Sequence, residues 1–524
     1  MRATDLTVII PTRERWQILR RTLDALAAQT ITGFDTVVVV DGEDQRPPTD
    51  LADVRIVQVP RGGPGAARNA GVGHADRPLV LFLGDDMIPV PRLVERHLAG
   101  HAAEPRRETV VLGHIDWHPD VARSRLLRWL DWSDSQFDFA SIPVAGPGWG
   151  HFVSSNVSLK REFLLEVGGF DSAFEFDYED LDLAYRLDKA GMQLRHDEAA
   201  LAHHLHSYDW AALERRYRGR ARGEWLMAHK HEWFKPFFGG RVRYAASQPW
   251  VSSVWRYLAD VAPGRLGEAA RPKANRFYHQ RLAPAYIDAW DGERDLDDLR
   301  DYLGPGYEHR RLTHHLQEVE AEEAAAPDEA SFYRTSQAYL YDLTVFAMSG
   351  TKLPYRLALQ RVLRPGSRLL DYGCGIGADG LRFIEAGYHV DFADFTNPSV
   401  EYLRWRLKRR QIDAEIYDVE RHVPGGYDGV YCFDVIEHVD DPHAFLDELE
   451  SRARVVAVNF LEPVADDVHV HKPLPVAELV QRARRHGLLH YRRYHGRSHL
   501  VIYRTGPSGP LDRARAAYVR HARR

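Results

Sequence analysis

The chain has 524 residues, 44% of them hydrophobic and 27% charged, with a net charge of −6 at pH 7, which fits two or three globular domains and excludes an electrostatic nucleic-acid partner. Only two cysteines occur, Cys374 and Cys432, which excludes a disulfide framework and fits a reducing, cytoplasmic compartment. The N-terminus has no long apolar signal core, and no apolar run approaches the roughly 20 residues that span a bilayer.

Residues 6–10 form an apolar run that predicts a buried strand. Trp16, Leu19, Leu23, Leu26 and Ala27 recur at helical spacing, so residues 15–29 are expected to be an amphipathic helix. Strands are predicted over 36–40, ending at Asp41-Gly42, and over 79–83, ending at Gly84-Asp85-Asp86. Strands that end in polar loops with helices between them predict an α/β fold with a mostly parallel sheet, which binds ligands off the carboxyl ends of its strands. Glu179-Asp180 opens a predicted helix that carries Leu181, Ala184 and Leu187 and stops at Gly191. From 210 to 316 the pattern is helical and aromatic, read as an extension plus connector, and the acidic, Ala-rich stretch 318–330 is a solvated helix end or a linker. Strand–helix alternation then resumes, with strands predicted at 368–371, 388–394, 414–417, 429–433 and 454–459. The basic tail 513–524 reads as a solvated terminal helix, with membrane contact as the alternative. The expected division is 1–240, 241–330 and 331–524, with no internal repeat.

Asp85-Asp86 at a strand end suits a nucleotide ligand, with one carboxylate toward a ribose and one toward a divalent metal that absorbs the charge of a diphosphate. Alone, such a pair is as well explained by a solvated turn. Around it stand Val8-Ile9-Ile10-Pro11-Thr12, Val38-Val39-Val40-Asp41-Gly42, Gly65-Ala66-Ala67-Arg68-Asn69-Ala70-Gly71, Asn156-Val157-Ser158-Leu159, Gly168-Gly169-Phe170-Asp171 and Tyr178-Glu179-Asp180-Leu181-Asp182. With these, residues 6–206 resemble the inverting family 2 glycosyltransferases of GT-A fold. The resemblance implies that Pro11, Thr12 and Asp41 line the base and ribose pocket, that Arg68 approaches the diphosphate or organises its loop, that Asp85 contacts ribose and that Asp86 binds Mn²⁺ or Mg²⁺. One position departs from the family pattern, since Gly84 replaces the first Asp of Asp-x-Asp. Inverting transfer needs one carboxylate to take the acceptor proton. Asp180 is the candidate, with helix capping as the bland alternative, and Glu179 is a candidate for positioning the acceptor. Among His203, His204 and His206, His203 is the positional match for a metal ligand, with packing at a strand end as the alternative. Trp117 and Trp149 are core residues or sugar-stacking faces.

Asp371-Tyr372-Gly373-Cys374-Gly375-Ile376-Gly377 follows an apolar strand and precedes a helix, with glycines that let a ligand approach the backbone. Asp394 ends the next strand, placed for ribose hydroxyls, so up to this point NAD remains an alternative. Asp418-Val419 and Tyr427-Asp428-Gly429-Val430-Tyr431-Cys432-Phe433-Asp434-Val435-Ile436-Glu437-His438 resemble the class I S-adenosylmethionine methyltransferases over about 335–505. That resemblance implies a Rossmann-like domain in which Asp371, Gly373, Gly375 and Gly377 hold the methionine end, Asp394 the ribose, Asp418 the adenine amino group, and Phe433 the loop beside the sulfonium. His438 is a candidate base, with a structural role as the alternative. His469 and His471 alternate on one face of a strand as a candidate base or metal pair, against a surface reading.

The expectation is a bifunctional enzyme using a nucleoside-diphosphate sugar, a metal and S-adenosylmethionine. Its acceptor is a glycan or glycoside, free or lipid-linked, met in the cytoplasm or at the membrane surface. The alternatives are a non-sugar aglycone, and a scaffold in which one domain only binds ligand. Intact Asp86, Asp180, Asp371 and the glycine loop argue against the scaffold. Sugar-nucleotide synthesis lacks its glycine-rich N-terminal loop.

Overall fold

The computed structural model describes all residues except 44–45, 49–53, 134, 263, 463–471 and 507–524. His469, His471 and the tail 513–524 therefore lie outside the described residues. The chain forms two compact units, Met1–Ile287 and Asp288–Arg524.

The first unit is built on an eight-stranded sheet: β1 Leu6–Thr12, β2 Asp35–Asp41, β3 Arg55–Val59, β4 Leu79–Leu83, β5 Met87–Pro89, β6 Thr109–Trp117, β7 Asn156–Lys160 and β8 Gln193–His204. Their order is β3-β2-β1-β4-β7-β6-β8-β5. All seven residues of β1 are buried, because helices cover both faces of the sheet. The two-residue period divides the strand side chains between two cores. Ile9, Val37, Val39 and Phe82 pack with Ala67, Leu183 and Leu187 of the helices Gly63–Gly73 and Glu179–Lys189. Val8, Ile10, Val38 and Leu81 pack on the other side with Leu19, Leu26 and Leu98 of the helices Trp16–Ala27 and Leu93–Ala103. Neighbours β3-β2-β1-β4 are parallel, but β7 runs antiparallel to both β4 and β6, so the sheet is mixed where the sequence suggested a mostly parallel one. The crossover direction changes between β1 and β4, which opens a crevice at their carboxyl ends.

The second unit has a seven-stranded sheet: β9 Arg368–Tyr372, β10 His389–Asp394, β11 Ile416–Asp418, β12 Gly429–Cys432, β13 Val455–Leu461, β14 Gly487–Tyr494 and β15 Ser498–Arg504, in the order β11-β10-β9-β12-β13-β15-β14. The first five are parallel, and β15 is antiparallel between β13 and β14. This inserted antiparallel strand departs from the dinucleotide-binding order, in which the strands run 3-2-1-4-5-6. The switch point lies between β9 and β12, where the glycine loop leaves β9.

The division between the units falls inside the helix Arg265–Leu303, not at 240 or 330. The reason is a ladder of aspartates. Asp288, Asp295 and Asp298 recur on one helix face and are almost fully buried. Asp295 pairs with Arg382 at 2.8 Å, with Arg406, and with Arg410 at 3.3 Å, while Asp298 pairs with Arg406 at 3.1 Å and with Arg410. Residues 288–303 are thus part of the second unit's interior. Of the two readings of 318–330, the helix end is the one seen over 318–325. His315–Ala325 is a helix, and Glu322 accepts hydrogen bonds from Ser336 Oγ at 2.7 Å and from the Gln337 and Ala338 amides at 3.0 and 3.1 Å.

Burial alone would raise the Asp295 carboxyl, but Arg382, Arg406 and Arg410 outweigh it and hold it down at about 2. Removing one member of a buried pair strands the others, so Asp295→Ala is expected to destabilise the second unit by about 3–5 kcal/mol in denaturant unfolding. Because the folded carboxyl lies below its unfolded value, this contribution is present above the ordinary aspartate range and is lost as pH falls toward 2. Wild-type stability of the variant at pH 7 would contradict the ladder's role.

Candidate active sites

In the first unit, β4 delivers its carboxylates through a tight turn. The Gly84 amide donates to Ser155 O at 3.1 Å and the Met87 amide to Gly84 O at 3.1 Å. A Cβ on Gly84 would lie 3.1 Å from Asp86 Oδ1 and from the Met87 side chain, a tight fit against movable groups. Asp85 accepts from Thr12 Oγ1 at 2.7 Å and from Arg15 Nε at 3.1 Å and Nη2. Burial and Asp86 push Asp85 up, against Arg15 and Thr12. Asp86 accepts from Arg15 Nη1 at 2.7 Å and faces His204 Nε2 at 3.3 Å and His206 Nδ1 at 3.6 Å. Burial opposes its charge, yet His204, His206 and Arg15 together hold it well below the usual carboxylate range.

The histidine assignment is corrected. Leu205 N donates to Asp86 O at 2.8 Å, which sets His204 and His206, two residues apart, on the Asp86 side. Their rings stack at 5.4 Å, and Asp86, His204 and His206 offer one oxygen and two nitrogens within 4.8 Å of one another. His203 projects from β8 in alternation with His204 and meets the edge of His118. His204 Nδ1 is buried without a hydrogen-bond partner. One carboxylate and two imidazoles are a donor set that could hold a divalent cation.

Asp41, at the end of β2, is committed to the backbone: its oxygens accept from the Gly62 and Gly63 amides at 2.8 and 3.2 Å, fixing the start of the helix Gly63–Gly73. Pro11 and Thr12 close β1 beside Val39 and Val40 of β2. Arg68 lies buried on the helix Gly63–Gly73, with its Nη1 on Glu179 Oε1 at 3.1 Å and 3.9 Å from Asp180 Oδ1. It therefore organises the acidic turn. Burial and the Asp180 charge push Glu179 up, with Arg68 opposing. Asp180 Oδ2 accepts from the Ser154 amide at 3.0 Å, and its Oδ1 is buried with no hydrogen-bond partner.

Two non-glycine residues in left-handed conformation, Asp177 at φ 62° and Tyr178 at φ 73°, precede Glu179. Such strain persists only where surrounding groups enforce it. The helix Trp210–Lys230 does so: Tyr178 Oη donates to Glu224 at 2.5 Å, Arg216 and Arg220 reach Asp177 at 3.7 and 3.6 Å, and a Cβ on Gly223 would lie 2.7 Å from the Tyr178 ring. Sequence reading assigned this helix to an extension. The Gly223–Glu224 pair in an Arg-rich helix was the only signal of its part in the site.

In the second unit, Gly373 N donates to Ala393 O at 2.8 Å, and the amides of Gly375 and Phe395 each donate to one Asp394 oxygen at 2.7 Å. Gly373 has φ 74°, and a Cβ there would strike Val435 at 2.6 Å. Gly373, Gly375, Asp394, Phe433 and His438 line one cavity, together with Tyr333, Tyr339, Lys352 and Arg356. Asp371, Gly377 and Asp418 stand behind that lining. Asp371 accepts from the Gly380 amide at 3.2 Å and is pushed up to about 8 by burial and by Asp379. Gly377 caps the helix Ala378–Glu385, with Leu403 2.4 Å from where its Cβ would be. Asp418 neighbours Asp394 across β10 and β11 and accepts from Thr396 at 3.2 Å. His438 Nδ1 lies 3.1 Å from Tyr333 Oη, and Lys352 Nζ donates to Phe433 O at 3.1 Å. Tyr333, Tyr339, Lys352 and Arg356 come from helical segments preceding the glycine loop, where no motif marked them.

Residues 7–168 match the glycosyl transferase family 2 model, and residues 350–500 match a methyltransferase domain model. The chain thus joins a family 2 glycosyltransferase domain to a methyltransferase domain. It is 30% identical over 230 residues to the pre-mycofactocin glycosyltransferase of Mycobacterium tuberculosis, covering 41% of this chain and 47% of that protein. It is 31% identical over 225 residues to validoxylamine A glucosyltransferase of Streptomyces hygroscopicus subsp. jinggangensis, covering 36% and 52%. It is 33% identical over 105 residues to a ubiquinone biosynthesis O-methyltransferase of Xanthomonas campestris pv. campestris, covering 19% and 43%. The chain spans about half the length of the curated relatives it matches.

Burial raises the Asp394 carboxyl to about 6, against the Gly375 and Phe395 amides. A ribose held there needs the charged carboxylate as acceptor. S-Adenosylhomocysteine affinity is therefore expected to fall as pH drops through 6, by up to about tenfold per pH unit. In Asp394→Asn that slope should vanish in calorimetry between pH 5 and 7.5. A slope that persists in the variant would assign it to another group.

Proposed function

We propose that the chain is a bifunctional transferase. The first unit transfers a sugar, with inversion, from a nucleoside-diphosphate sugar to an acceptor hydroxyl. The second transfers a methyl group from S-adenosylmethionine to a sugar hydroxyl of the same glycan or glycoside. The observation that carries the first half is the convergence of Asp86, His204 and His206 at the end of β4, in the same unit as Asp180, whose buried Oδ1 accepts no hydrogen bond. A cation held by Asp86, His204 and His206 would supply Lewis-acid neutralisation of the departing diphosphate.

The chain's own residues do the rest. Thr12 and Arg15 orient Asp85 toward the ribose. Asp180, held by Ser154, takes the proton of the attacking hydroxyl as the new glycosidic bond forms and the bond to the diphosphate breaks. Glu179, tied to Arg68, positions the acceptor. In the second unit the activated donor needs alignment more than chemistry. Asp394 orients the ribose, the Gly373–Gly375 backbone the methionine end, and Phe433 the sulfonium side. In the His438 tautomer whose Nδ1–H donates to Tyr333, Nε2 is the basic nitrogen that accepts the acceptor's proton.

The names of two relatives favour a second reading of the acceptor. One is named a pre-mycofactocin glycosyltransferase and the other a validoxylamine A glucosyltransferase, each after one named compound, which supports a discrete aglycone modified by both units. A lipid-linked acceptor would be met at the membrane surface, and the chain would otherwise work in the cytoplasm.

Three variants test the assignments. Asp180→Asn should keep nucleotide binding and lose transfer by about 10²–10⁴-fold. Wild-type transfer would return Asp180 to a purely structural role. His204→Ala should weaken Mn²⁺ binding, read by calorimetry with the nucleotide, by about tenfold or more, whereas His203→Ala should leave it unchanged. The reverse ranking would overturn the corrected metal set. Mass spectrometry of the product should show glycosylation and methylation of one molecule, and methylation only of unglycosylated acceptor would support the aglycone reading.

A further inference from the structure

Seven of the fourteen large apolar side chains that stand exposed among the described residues fall within residues 237–266 of the first unit. Six of them, Tyr244, Trp250, Val254, Tyr257, Val261 and Leu266, are 50–72% exposed. The helix Val254–Val261 has no buried residue, and Val254, Tyr257 and Val261 recur at i, i+3 and i+7 on one face. Trp250 precedes that helix and Leu266 follows it.

The exposure does not come from a loose segment. Gln280 Nε2 donates to the carbonyls of Ala245, Gln248 and Pro249, each at 3.0 Å, and its Oε1 accepts from the Val251 amide at 2.9 Å. Asp260 anchors the helix through Arg125 at 3.3 Å and Arg128 at 3.2 Å, and the Arg125 guanidinium lies 4.9 Å from the Tyr257 ring. The apolar tips are held outward by an ordered scaffold. An apolar surface concentrated in this way marks a binding face.

The charge around it is predominantly positive. Between 237 and 273 the sequence has Arg241, Arg243, Arg256, Arg265, Arg271 and Lys273 against Asp260 and Glu268. Asp260 is already consumed by its arginine pairs. No helix among the described residues is long and apolar enough to cross a membrane, so contact with lipid would be lateral.

We propose that this face docks on an anionic lipid bilayer, with Trp250, Tyr257 and the aliphatic tips entering the headgroup boundary and the arginines meeting lipid phosphates. Tryptophan and tyrosine beside aliphatic residues, flanked by basic side chains on a short amphipathic helix, are the composition that lies in an interface plane. Anionic headgroups complement the positive excess near the surface. A bilayer offers acyl chains and phosphate together without a shaped counterpart. The inference does not depend on which sugar, acceptor or methyl position the two units use.

The experiment is co-sedimentation of the full chain with phosphatidylcholine vesicles, with and without phosphatidylglycerol. The wild type is expected to partition onto the anionic vesicles. The triple variant Trp250→Ser, Val254→Ser, Tyr257→Ser should lose at least about tenfold in partitioning. Arg243→Glu with Arg265→Glu, both at exposed positions, should remove the phosphatidylglycerol-dependent part alone. The basic tail is retained throughout, so it contributes nothing to the differences. Unchanged thermal unfolding and nucleotide binding report intact folding. Absence of wild-type binding to either vesicle, or wild-type binding by both variants, would overturn the proposal. So would a dimer in light scattering that the triple variant abolishes without any vesicle binding, which would make the face an interface between copies.

Discussion

Carboxylates withdrawn from water at the carboxyl ends of strands, and the donors that hold them there, decide where the remaining elements go. Taking a carboxylate out of water costs several kcal/mol unless partners surround it. Asp85 and Asp86 are buried at the end of β4, and their partners come from the segment after β1 and from the end of β8: Arg15, His204 and His206. Asp394 is partly buried at the end of β10, and its partners are backbone amides of the glycine loop and of Phe395. In the first unit the carboxylate pair is held by segments distant in sequence, whereas Asp394 is held by one residue of the glycine loop and by its own chain neighbour.

The same constraint recruits segments that look peripheral. The strained turn Asp177–Tyr178 delivers Glu179 and Asp180, and it keeps its left-handed backbone because Arg216, Arg220 and Glu224 engage both residues. The helix that carries them is therefore a working part of the first unit. In the second unit, Arg356 pairs with both Asp288 and the cavity-lining Asp379, and Arg382, also in the lining, pairs with Asp295, so the aspartate ladder reaches the cavity wall through two guanidiniums. Another left-handed residue, Asp434 at φ 57°, stands in that wall, fixed by reciprocal hydrogen bonds with Asn459 at 2.8 and 2.6 Å.

How much of this was legible in the sequence follows from the range of each signal. The apolar run 79–83 and the strand at β4 coincide, because a strand buried on both faces leaves a continuous hydrophobic signature. The helix opening at Glu179 and its stop before Gly191 were legible for a local reason, the need for a left-handed residue at the helix end. The glycine loop was legible because only glycine fits beside Val435 and Leu403. The choice among His203, His204 and His206 was not, since it depends on the pairing of Leu205 with Asp86 across a turn. The aspartate ladder was hidden as well. Its spacing is visible in the sequence, but aspartates on a helix read as a solvated face until Arg382, Arg406 and Arg410 arrive from more than 80 residues away. The antiparallel strands β7 and β15 carry no local mark of their direction.

Each unit has its own sheet, its own switch point and its own strand-end carboxylates, so the central claim is that one chain holds two independent donor sites. The most direct measurement is calorimetry on the full chain with a nucleoside diphosphate and Mn²⁺, then with S-adenosylhomocysteine, each titrated with the other absent and at saturation, and with NAD as the rival ligand. The account predicts one nucleoside diphosphate and one S-adenosylhomocysteine per chain, each binding unchanged by the other, and no NAD. Competition between the two ligands for one site, or NAD binding in place of S-adenosylhomocysteine, would contradict it.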